Sequence, residues 1–179
     1  LWTGTAAEAP AVSPAALPLL YPSRAITGYY GKVSTANYKG LDGLRFIEER
    51  YGNDYHAIRW LNKNVSGSEV VLEAAGDSYS DCERISMATG LPTVEGWFAH
   101  EWLWRGGPAG PQARSEDVAK IYESPDVKAS RSLIKKYGVR YIVIGSMERE
   151  KYKNLNEGIL LQLGKVVFNI SGATIIEVT

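Results

Sequence analysis

The chain has one cysteine, Cys82, and two histidines, His56 and His100. No intrachain disulfide can form, and a structural zinc site is disfavoured with so few soft donors. A single cysteine leaves the compartment open. A carboxylate-rich calcium or magnesium site also stays open, although no EF-hand loop occurs. We expect no metal and no cofactor. An excess of one charge is lacking too: 20 Lys and Arg face 20 Asp and Glu. With no run of five basic residues either, the chain offers no electrostatic footprint for nucleic acid, and none is expected as a partner. No stretch reaches the roughly 18 to 20 apolar residues that span a bilayer. The first residue is Leu1 and no basic-then-apolar leader follows, so the simplest reading is a piece of a longer protein.

What is present suits a folded domain. The 179 residues are 45% hydrophobic and 22% charged, and a chain of this length buries roughly 70% of its unfolded surface. Residues 1–22 are rich in proline and alanine, and residues 23–40 in glycine, tyrosine and serine. We expect an extended N-terminal arm and loop over 1–40, anchored by Trp2, Leu19, Leu20 and Tyr21, then a single α/β domain over 41–179.

Helices are predicted from Leu41 to the Gly52 stop and over "DYHAIRWLNKNV", capped by Asp54. Further helices are expected over "SDCERISMATG", "SEDVAKIYES", "DVKASRSLIKKYG" and "YKNLNEGILLQLG". "VVLE" and "VRYIVIG" read as strands, the second buried on both faces, and "KVVFNI" and "ATIIEV" as a hairpin. Strands separated by helices imply parallel crossovers. The expected fold is an α/β, three-layer-like sandwich. Its sheet is mixed, mainly parallel, of four to five strands, with a C-terminal antiparallel hairpin. Ligands in such sheets gather at the carboxyl ends of the strands, here "EAAGDSYSD" and "GSMERE".

Three segments carry candidate chemistry. Gly76-Asp77-Ser78 after a strand resembles the opening block of GDS-type serine hydrolases, where the serine is the nucleophile. That chemistry needs a histidine base held by a carboxylate. The family's Asp-x-x-His is absent and no histidine follows His100, so Asp77 or Ser78 is expected to cap the next helix instead. In "GLPTVEGWFAHEWLWRGG" three tryptophans stand beside His100, Glu101 and Arg105. Rings can stack on sugars, and a guanidinium can bind an anion. The alternative, which we favour, is that the tryptophans build the core. In "SMEREKY", Glu148, Arg149 and Glu150 read as solvated charges at a helix start, or Glu148 or Arg149 faces the strand-end crevice.

Five blocks occur in order: "LDGLRFI", "DYHAIRWLNKNVSG", "VVLEAAGDSYSDCERISMATGLPTVEGWFAHEWLWRG", "DVAKIYESPD" and "LIKKYGVRYIVIGSMEREKY". Together they resemble the extracytoplasmic C-terminal portion of the "YYY" multi-spanning membrane proteins of bacteria and archaea. These are grouped as a family of unknown function, related in architecture to GT-C glycosyltransferases. Cys82, and Glu95 before Gly96-Trp97-Phe98, depart from the family's pattern. The resemblance implies a non-catalytic domain outside the cytoplasmic membrane. Its partners would be the transmembrane part of the same parent chain and a glycan or lipid-phosphate-linked sugar. The expected site residues are Asp77, Ser78, Tyr79 and Arg84 near the strand end, with His100, Glu101, Trp104 and Arg105 at the polar edge of the tryptophan segment. Two other readings remain: a structural or protein-interaction module without a ligand, and a hydrolase using Ser78.

Overall fold

The computed structural model describes residues 17–31, 40, 42–170 and 172–179. By internal contacts the chain divides into two compact units, residues 1–42 and 43–179. In the first, Leu17–Tyr30 forms helix α1, with Pro22 inside it. Over 17–30 this replaces the expected extended arm and loop; the rest of that expectation, residues 1–16 and 32–39, lies outside the described residues. Leu20, Arg24 and Ala25 favour helix, while the interior Pro22 removes one ladder hydrogen bond and crowds the preceding turn. Of the expected anchors, Leu20 and Tyr21 are exposed, while Trp2 and the side chain of Leu19 lie outside what is described.

The second unit holds helices α2 (Arg45–Tyr51) and α3 (Asn53–Asn64), strand β1 (Val70–Leu72), and helices α4 (Arg84–Thr89), α5 (Phe98–Arg105), α6 (Ala109–Glu123) and α7 (Val127–Tyr137). Strand β2 (Val139–Ile144), helices α8 (Ser146–Lys151) and α9 (Glu157–Leu160), and strands β3 (Gly164–Ile170) and β4 (Ala173–Val178) complete it. The sheet order is β1-β2-β4-β3. The α/β class, the mixed sheet of four strands and the C-terminal hairpin agree with the sequence reading. "Mainly parallel" does not: β1 and β2 pair in parallel, but β2–β4 and β3–β4 are antiparallel.

Alternation along the strands sorts the core into two layers. Leu72, Ile142, Ile144 and Ile176 pack with Val118, Ile121 and Tyr122 of α6, Ile134 of α7 and Leu160. Val71, Tyr141, Val143 and Ile175 pack on the other side with Ile47, Ile58, Leu61 and Ile85 of α2, α3 and α4. A period of two in the strands thus places helices on both faces. The last predicted helix is shorter than expected, confined to Glu157–Leu160. Helix α5 was not predicted at all. Among the described residues, no helix is long and apolar enough to cross a membrane.

The carboxyl ends of the two parallel strands are joined by one side chain. Glu148, wholly buried, accepts from the N–H of Ala74 beyond β1 (2.8 Å) and of Gly145 beyond β2 (2.7 Å). Arg84 donates to Glu148 at 3.0 Å and to Asp54 at 2.7 Å. A Cβ on Gly145 would collide with Asp54 and Arg84, so the bare backbone there lets the ion cluster close. Two expectations fall. Glu148 is not a solvated charge, and Asp54 does not cap α3 but faces inward to Arg84. The cap of α4 also differs: buried Glu73, not Asp77 or Ser78, accepts the N–H groups of Ile85 and Ser86 at 2.8 and 2.9 Å. A carboxylate at a helix N-terminus is favoured by both the free N–H groups and the helix dipole.

Candidate functional site

The strand-end crevice, where a ligand was expected, is filled by the Arg84–Asp54–Glu148 cluster. The open cavity lies beside it, a cleft of about 750 Å³ whose walls come from α2, the loop after β1, α4 and α5. Tyr79, Trp97, His100, Trp104 and Met87 line it, with Glu101 and Arg105 among its polar groups.

Helix α5 supplies most of these. Trp97 precedes it in extended conformation, and Gly106, in the left-handed region, stops it. At helical spacing His100 and Trp104 share a face, as do Glu101 and Arg105, which form an ion pair one turn apart. The acidic residue sits in the first turn and the basic one in the last, the orientation that the helix dipole favours. No residue of α5 is buried; Trp102 is 44% and Trp104 85% exposed. The tryptophan segment is therefore a surface helix, which corrects the expectation that it builds the core.

The loop after β1 is fastened to this helix. The Phe98 N–H donates to the Gly76 carbonyl at 3.2 Å, and the Trp97 indole N–H donates to the Ser80 carbonyl at 3.1 Å. Tyr79, between them, has φ of 64°, the only positive value outside glycine among the described residues. Its ring centre lies 5.2 Å from Trp97 and 5.4 Å, edge-on, from His100; Trp97 and His100 are 5.3 Å apart. The three rings form a closed triangle.

Six of the eight expected residues border the cleft: Tyr79, Arg84, His100, Glu101, Trp104 and Arg105. Asp77 and Ser78 do not. The Asp77 carboxylate accepts from the Ser78 N–H, and the Ser78 hydroxyl lies 2.9 Å from His100 Nδ1. A histidine is thus within reach of Ser78 although none follows in sequence. Among the described residues no carboxylate bonds to the other ring nitrogen, so the third member of a hydrolytic triad is missing there. Arg84 borders the cleft, but its guanidinium is held by Asp54 and Glu148 and the residue is 1% exposed. Sequence reasoning missed Phe46 and Met87, both more than half-open to solvent or nearly so, which enter from α2 and α4. Nothing local marks them, since only the packing of those helices turns them toward α5.

Behind the cleft wall lies Glu95, buried, with neither carboxylate oxygen hydrogen-bonded among the described residues. Burial, and next the nearby charge of Glu101, push its carboxyl up to about 7. Glu83, also buried, accepts from the Gly76 N–H at 2.6 Å, and burial raises its carboxyl as well. Among the described residues no group of three or more His, Cys, Asp or Glu side chains is placed to hold a metal ion.

No protein-family model and no curated protein matches the chain. Among solved structures it is similar to the C-terminal globular domain of an oligosaccharyltransferase from Archaeoglobus fulgidus. That likeness has a TM-score of 0.45 at 14% identity, over 69% of this chain and 95% of that one.

Proposed function

We propose that this chain is a non-catalytic, extracytoplasmic domain of a polytopic membrane protein of the YYY type, and that its aromatic cleft holds a glycan, free or carried on a lipid. The observation that carries the reading is Tyr79. A left-handed backbone costs a residue with a Cβ about 1–2 kcal/mol. Tyr79 is 81% exposed, so burial does not offset that strain. A strained, solvent-facing ring laid against Trp97 and His100 is accounted for by a ligand that stacks on it. Sugars present apolar C–H faces to rings and hydroxyls to groups such as Glu101 and Arg105. The membrane context rests on the ordered sequence blocks, and a GT-C-like parent would keep its catalytic carboxylates elsewhere.

The test is an NMR titration that follows the tryptophan indole signals with monosaccharides, short glycans and a soluble polyprenyl-phosphate mimic. Trp97 and Trp104 should shift while Trp60, packed beside Tyr141 and Phe168, stays still. Arg105→Ala should abolish the shifts. Silence of both indoles at millimolar ligand would sink the glycan reading.

Trp102 and Leu103 favour a second reading. They are 44% and 72% exposed and stand outside the cleft lining. A protein-interaction module would bury them against a partner or against the membrane part of its own chain. Trp102→Ala with Leu103→Ser would then weaken that association and leave the glycan titration unchanged.

A further inference from the structure

The charge of the cleft narrows the class of glycan, a step that rests on the glycan reading above. Three carboxylates line it, Asp81, Glu83 and Glu101, against two guanidiniums, Arg84 and Arg105. The groups paired with these add Asp54 and Glu148 on one side and only Arg50 on the other. Over these lining and ion-paired groups the excess is two formal negative charges.

The guanidiniums are also committed. Arg84 bonds Asp54 and Glu148, Arg50 lies 2.7 Å from Asp81, and Arg105 pairs with Glu101. A phosphate or carboxylate entering the cleft would have to compete with a carboxylate for its cation. Glu101 and Asp81 are held in the same pairs, so a cation would share them with Arg105 and Arg50, but it would complement the carboxylate excess rather than oppose it. Glu101 and Asp81 are partly exposed, with side chains 22% and 38% accessible. Among the described residues no cation stacks on Tyr79, Trp97 or Trp104, although Arg50, Arg59 and Lys136 stack on other rings. Open aromatic faces beside carboxylates attract an ammonium by both its charge and the ring quadrupole.

We propose that the cleft selects a sugar bearing a free, protonated amine, with the sugar ring stacked on Trp104 and Tyr79 and the ammonium directed to Glu101 and Asp81. A neutral sugar would keep the stacking and lose the charge contact. An anionic sugar would meet the carboxylate excess.

Calorimetric titration with a glucosamine oligomer and with its fully N-acetylated counterpart tests this, under mildly acidic conditions that protonate the amine. The amine form should bind about tenfold more tightly, and added salt should shrink that preference. Glu101→Gln combined with Asp81→Asn should remove the preference, so that the two oligomers bind alike. If that variant does not fold, the salt dependence of the unaltered protein decides. Equal affinity for the two oligomers, or a preference that salt leaves untouched, would overturn the amine proposal while the glycan reading stands. Binding of neither oligomer would overturn both.

Discussion

Arg84 and Glu148 meet at 3.0 Å with both side chains shut away from solvent. Glu148 also holds the backbone of the two parallel strand ends, and Arg84 reaches Asp54 at the start of α3. Removing the cation leaves two buried carboxylates without a counter-charge. Arg84→Met should therefore cost about 3–5 kcal/mol in urea unfolding. Arg50→Ala breaks an exposed pair with Asp81 and should cost less than about 1 kcal/mol.

Tyr79 separates strain from use. Glycine adopts its backbone conformation freely, so Tyr79→Gly should leave the melting temperature unchanged or raise it. The same variant should lose glycan-induced shifts at Trp97 and Trp104. Marked destabilisation would mean that the ring holds the fold and would remove the main support for a ligand there.

Trp104 tests the surface assignment of α5. Trp104→Ala should change stability by no more than about 0.5 kcal/mol. Ile58→Ala, in the core beneath α3, should cost about 2–5 kcal/mol. Equal losses in denaturant would return the tryptophan segment to the core.

Glu95 and Glu73 set a pH dependence. Burial is the first cause of both shifts, and each carboxyl is pushed from an ordinary 4.5 to about 7. Between these values the folded state binds more protons than the unfolded one. Their contribution is thus full below about 4.5 and is lost as pH rises toward 7. Glu95→Gln keeps the neutral shape, so it should raise stability at pH 8 and flatten the melting-temperature profile across that window. An unchanged profile would mean that Glu95 finds a partner when ionised.

Much of the architecture was legible. Near-continuous apolar runs in "VRYIVIG" and "ATIIEV" commit both faces of a strand, and the Gly138 stop and the chain-end hairpin follow from local chemistry. Helix α5 was not legible. Three tryptophans within eight residues read as burial, because large apolar side chains usually pack inside. Nothing local says that α6, α7 and α9 already cover one face of the sheet and α2, α3 and α4 the other.

The site divides in the same way. The sequence alone singled out Tyr79, His100, Glu101, Trp104 and Arg105, since rings beside charges form a pattern that is visible in one dimension. It could not give the roles of Arg84, Asp54 and Glu148, which are 30 to 94 positions apart and acquire meaning only as a buried triad. That triad fills the strand-end crevice, so the open space falls between α2, α4 and α5 instead. Local pattern determined where rings and charges cluster along the chain. Only packing, by burying some charges against each other and leaving certain rings in water, decided which of them face a cavity.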